Sequence, residues 1–126
     1  MKINFFKADE IDRNIKCSIH KSGKLGFSST AIDKLGLSTG KSVMIGVNEE
    51  DSEDDNLYMS VEDGVKEEAF KISRAGEYYY ANTKALFDKM GIDYRAKTII
   101  YDIVDFEYEG VKMYKLIKRE KKRNKN

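Results

Sequence analysis

With 126 residues, 40% of them hydrophobic, the chain can fill one ordinary core but is too short for two independent domains of typical size. A charged fraction of 36% would suit a disordered polymer, yet eight Tyr and six Phe carry too much buriable surface for one. The net charge of only +1 excludes a uniformly basic protein, and the single cysteine excludes an intrachain disulfide, which suits a reducing compartment.

Met1 to Glu10 has no apolar run long enough for a signal peptide, and no stretch of about 18 apolar residues occurs anywhere. The expectation is a cytoplasmic protein with no membrane partner. Ile3 and Phe5 alternate with polar neighbours, so Met1 to Phe6 is predicted as an edge strand. Asn14 to His20 sets apolar Ile15, Cys17 and Ile19 against polar Asn14, Lys16 and Ser18, the period of a half-buried strand, and Cys17 reads as a small core hydrophobe. Ser22-Gly23 supplies a tight turn, after which Leu25 and Phe27 resume the alternation. Ser28, Ser29 and Thr30 are N-cap residues for a short helix carrying Ile32 and Leu35, and Gly36 falls where a left-handed C-cap is wanted.

Ser42 to Val47 and Leu57 to Glu62 form a second hairpin across the acidic loop Asn48 to Asn56. That loop lacks the glycine and terminal glutamate of a calcium-binding loop and reads as an exposed hairpin tip. A second series follows in the same order: strands Ala69 to Ser73 and Tyr78 to Ala81, a helix Thr83 to Met90 capped by Asn82 and Gly91, and strands Lys97 to Phe106 and Val111 to Ile117. Six Lys and Arg against one Glu from Lys118 to Asn126 mark a basic flexible tail on a faintly acidic body.

The two series resemble each other. Lys21-Ser22-Gly23-Lys24-Leu25-Gly26-Phe27 echoes Arg74-Ala75-Gly76-Glu77-Tyr78-Tyr79-Tyr80. Ala31-Ile32-Asp33-Lys34-Leu35-Gly36-Leu37 echoes Leu86-Phe87-Asp88-Lys89-Met90-Gly91-Ile92, and Lys41-Ser42-Val43-Met44-Ile45 echoes Lys97-Thr98-Ile99-Ile100-Tyr101. A unit of about 45 residues leaves a sheet face wet when alone, so two copies are expected to close around one core. The predicted fold class is α+β, mainly β: two tandem ββαββ units, residues 14–62 and 67–117, forming a pseudo-symmetric barrel or sandwich with two short helices within a single domain, 1–117. Leu25, Phe27, Ile32, Leu35, Val43 and Ile45 should meet Tyr78, Tyr80, Leu86, Met90, Ile99 and Tyr101.

Gly-Lys-Leu-Gly-Phe, a capped helix ending Leu-Gly-Leu, and Gly40-Lys41-Ser42-Val43-Met44-Ile45 before a final hairpin strand together resemble the swapped-hairpin barrel of AbrB-type bacterial transition-state regulators and MazE-type antitoxins. The resemblance covers about 45 residues per copy. It implies DNA binding and transcription regulation, with the tandem copy standing in for the usual interlocked dimer. Lys24 matches the basic residue expected after the turn glycine in the first copy, whereas Glu77 stands there in the second.

Candidate nucleic-acid-binding residues are accordingly Lys21, Lys24 and Arg74, with Lys118, Arg119, Lys121, Lys122 and Arg123 of the tail as a non-specific grip on phosphates. Tyr79, in the run Tyr78-Tyr79-Tyr80, is a candidate for stacking unpaired bases, an alternative in which single strands are the ligand. A further alternative, an adaptor or antitoxin-like module, would dock a protein through the acidic loop or the tail. DNA ranks ahead of RNA, and the expected state is a pseudo-dimeric monomer or a homodimer. His20 is the sole histidine, and phosphate-loop, dinucleotide and nucleophile-elbow patterns are missing from the sequence, so neither enzyme, metal nor cofactor is predicted.

Overall fold

A computed structural model describes Met1, Ile3, Phe5 and residues 14–122. The elements run in the order β1 (Lys16–Ile19), β2 (Leu25–Phe27), α1 (Ser29–Leu35), β3 (Lys41–Gly46), β4 (Leu57–Asp63), β5 (Phe70–Ala75), β6 (Tyr78–Ala81), α2 (Lys84–Lys89), β7 (Lys97–Tyr108) and β8 (Val111–Lys122). The protein is α+β and mainly β, as the alternation predicted. The expected edge strand over Met1 to Phe6 lies largely outside the described residues, and Ile3 and Phe5 are exposed.

Local chemistry shapes each unit. Ser28 is the N-cap of α1, its Oγ accepting from the Ala31 amide, and it also ties the helix to β1 by accepting from the Lys16 amide, while donating to the Asn14 carbonyl just before that strand. Both helices end alike. Gly36 and Gly91 take φ of +65° and +72°, and the amides of Leu37 and Ile92 reach back to the carbonyls of Ile32 and Phe87 at 3.1 Å each. The N-cap of α2 is Thr83 rather than Asn82. Its hydroxyl is fully buried and donates 2.9 Å to the Gly23 carbonyl, tying the first hairpin turn to the second helix.

Among the described residues the eight strands all pair antiparallel, and the sheet closes into a ring in the order β1-β2-β6-β5-β3-β4-β8-β7. Hairpins from the two halves alternate around it. Thus β1–β2 sits between β7 and β6, and β3–β4 sits between β5 and β8, so every hairpin's outer neighbours come from the other half of the chain. One apolar cluster fills the interior, with Leu25, Val43, Leu57, Met59, Ile72, Phe87, Tyr101 and Leu116 each fully buried. Burying a side chain of this size stabilises by about 1.5–3 kcal/mol, and no single hairpin could cover its apolar face alone.

Three expectations are corrected. Tyr78 and Met90 are 40% and 39% exposed rather than core residues, while Phe87 takes the buried position on α2. Leu86 packs against the core only in part, and Met90 is the C-cap of α2, past its last helical residue. Secondly, β8 runs through Lys122, so Lys118 to Lys122 belong to a strand paired with Lys97–Tyr101 and are not a free tail. The same ladder carries β7 on to Tyr108. Thirdly, Tyr80 is half-buried rather than fully enclosed.

Candidate nucleic-acid interface

The expected binding residues divide into three groups. Lys21 lies exposed in the β1–β2 turn, which is held by the His20 amide donating to the Lys24 carbonyl and the Gly23 amide donating to the His20 carbonyl, 2.8 Å each. Gly23 needs its missing side chain twice over: φ is +87°, and a Cβ there would lie 2.9 Å from the Lys84 Cα. The turn is thereby pinned against the start of α2.

Lys24 and Arg74 do not share a site. Lys24 Nζ lies 4.6 Å from the centroid of the Tyr80 ring, whereas the Arg74 guanidinium lies 5.5 Å from that of Tyr79 and also donates to the Gly76 carbonyl. Side chains alternate along a strand, so Tyr79 faces the other way from Tyr78 and Tyr80. Register fixes which way. Tyr79 pairs with buried Phe27 and packs against the core, so the residue expected to stack bases is turned inward. Tyr78 and Tyr80 are stacked on each other instead, centroids 5.4 Å apart and planes at 22°.

Gly26 makes room for that pair. It lies opposite Tyr80, and a Cβ on it would sit 2.3 Å from the Tyr78 hydroxyl oxygen and 2.5 Å from Cε1. The signal was present in the sequence as a glycine between two core residues of a short strand, where a close approach by another group is a standard reason for it. Burial, and then the neighbouring Tyr80, raise the Tyr78 hydroxyl above the ordinary tyrosine range.

Two residues of the third group, Lys118 and Arg119, are engaged within the fold. Lys118 is 17% exposed, with Nζ 3.3 Å from Glu120 and 3.9 Å from Asp55, and its amide donates to Asn56. Arg119 forms a two-pronged pair with Asp102: Nη2 donates to Oδ1 at 2.9 Å, and Nε lies 2.7 Å from Oδ2. Asp102 is only 6% exposed, so this guanidinium neutralises a buried carboxylate. Lys121 and Lys122 continue β8, and Arg123 lies outside the described residues.

Much other basic character is also matched internally. Lys34, Lys41, Lys66, Lys84 and Lys97 pair with Asp105, Asp63, Glu62, Asp88 and Glu120. By contrast Lys16, Lys21, Lys24, Lys71 and Arg74 form no ion pair with a described residue. The acidic loop folds on itself. Asn48, Asp51 and Asp54 each accept an amide two residues on, and Tyr58 donates to Asp54, which lowers the Asp54 carboxyl and pushes the Tyr58 hydroxyl up to about 12.

Burial, followed by the charge of Asp102, pushes the Cys17 thiol well above its usual range, leaving it unreactive in the folded protein. Among the described residues, no group of three or more His, Cys, Asp or Glu is placed to hold a metal ion, and no helix is long and apolar enough to cross a membrane. No protein-family model, curated protein or solved structure matches the chain.

Proposed function

We propose that the chain is a DNA-binding protein built as a single-chain counterpart of the AbrB- and MazE-type swapped-hairpin dimers, with transcription regulation as its role. Each half contributes one ββαββ unit, and the pair acts as a pseudo-dimer. The observation that carries this is the alternation of hairpins around the ring: exchanging β1, β2, β3, β4 with β5, β6, β7, β8 leaves the list of neighbouring strands unchanged. A duplicated unit whose hairpins interlock across a two-fold axis has that property. Two further details support it. The matched glycine caps of the helices recur at equivalent places in the two halves, and Leu57 pairs directly with Leu116, the corresponding leucines of β4 and β8, as expected at such an axis.

Of the expected phosphate contacts, Lys21, Lys24 and Arg74 are the ones left to meet DNA, because Lys118 and Arg119 are engaged within the sheet. Three such contacts imply an affinity that falls with salt along a log–log slope of about −3, since each neutralised phosphate releases most of one counterion. The test is fluorescence anisotropy with a mixed-sequence duplex between about 50 and 200 mM salt, using wild type and the double variant Lys21→Glu, Arg74→Glu. Binding that weakens with salt and is lost in the variant is the expected result. Failure of the wild-type protein to bind duplex or single strand at about 50 mM salt removes the proposal.

A further inference from the structure

We infer that the outer surface of the β2–β6 pairing, made by Tyr78, Tyr80, Gly26 and Lys24, is a stacking site for unpaired bases of single-stranded nucleic acid. It deepens the nucleic-acid reading above and rests on it. Two aromatic rings stacked on the outside of a sheet are poor structural economy, since Tyr78 keeps 40% of its surface in water. Covering the bare backbone of Gly26 explains why one ring lies there. It does not explain the second ring or the ammonium over it.

Charge and chemistry favour a nucleic acid as the occupant. Alternation places Lys16 and Ser18 on the Gly26 side of β1, and Lys71 and Ser73 on the Tyr80 side of β5, so two lysines without a described ion-pair partner flank the aromatic pair. A third, Lys24, stands over the Tyr80 ring. Its hold is weak: an exposed cation–π contact is worth about 0.5–1 kcal/mol, whereas a base stacked on an aromatic side chain is worth about 1–3 kcal/mol. A base therefore displaces the ammonium, and the freed Lys24 is left within reach of that nucleotide's phosphate. Sequence preference is not expected, because every base has a π face and the site offers few fixed hydrogen-bonding groups beyond the serines.

The experiment measures binding of a fluorescein-labelled oligo-deoxythymidine and of a mixed-sequence duplex to wild type, Tyr80→Phe, Tyr80→Leu and Tyr78→Ala at about 50 mM salt. Thermal melts set the folded fraction of each. Tyr80→Phe should keep single-strand affinity, while Tyr80→Leu, which keeps apolar bulk but loses the ring, should weaken it about tenfold and leave duplex affinity unchanged. Duplex binding together with single-strand affinity indifferent to Tyr80→Leu overturns the stacking site and leaves the duplex proposal standing. Equal losses on both ligands also overturn it, by making Tyr80 a structural residue. Absence of all nucleic-acid binding removes both.

Discussion

Replacing Arg119 by alanine tests whether the basic end of the chain serves the fold or a ligand. The guanidinium meets Asp102 at 2.7 and 2.9 Å, and Asp102 is 6% exposed. Truncating one partner of a buried pair costs about 3–5 kcal/mol, because the remaining charge is left without compensation. The Arg119 side chain is itself 35% exposed, so water entering its vacated place recovers part of this, and about 2–3 kcal/mol is expected. For a domain of this size that lowers Tm by roughly 10 °C. Urea unfolding followed by far-UV circular dichroism should show a lower midpoint with an unchanged slope. Combining Arg119→Met with Asp102→Leu should recover most of the loss, since an apolar pair removes the stranded charge. DNA affinity, corrected for folded fraction, should not change. A loss below about 0.5 kcal/mol, the range of an ordinary surface substitution, would refute the assignment of Arg119 to the fold.

Other outcomes follow from the same geometry. Gly23→Ala should destabilise more than Gly76→Ala in matched melts: both sites have positive φ, costing about 1–2 kcal/mol for alanine, but only at Gly23 would the new methyl strike the Lys84 backbone. Leu57→Ala and Leu116→Ala should each cost about 2–5 kcal/mol by urea titration, and the double variant should deviate from additivity because the two leucines pair across β4 and β8. Cys17 should react with a thiol reagent only as fast as the protein opens, so its modification rate should rise with urea alongside unfolding. Tyr58→Phe should lower Tm near neutral pH by removing the bond to Asp54. Asp54 is depressed in the folded state, so its contribution is present above 3.8 and fades as pH falls through the lowered value, while the Tyr58 contribution is present below 10 and fades as pH rises through about 12. The Tm difference between wild type and Tyr58→Phe should therefore narrow at both extremes.

Local chemistry was legible in the amino-acid sequence wherever a residue's own neighbours decide its state. The alternation of Ile15, Cys17 and Ile19, the cap at Ser28 and the left-handed glycines at Gly36 and Gly91 follow from steric and hydrogen-bonding preferences that act over a few residues. So does the order of strands and helices. The end of β8 was not legible, because Lys118 to Lys122 has no apolar alternation. It is a strand because β7 offers a ladder, and because Asp55 and Asp102, both distant in sequence, neutralise Lys118 and Arg119.

The tyrosine run shows the division most clearly. Period-two alternation dictated that Tyr79 would oppose Tyr78 and Tyr80, but not which side would face the core. Only the pairing of β6 with β2 decided that, by setting Tyr79 against Phe27 and Tyr80 against Gly26. The sequence alone determined the elements and their two-sidedness, which arise from short-range sterics and burial. The alternation of hairpins around the ring, the inward turn of Tyr79 and the pairing of Arg119 with Asp102 were decided by tertiary structure, because each depends on which strands from opposite halves become neighbours.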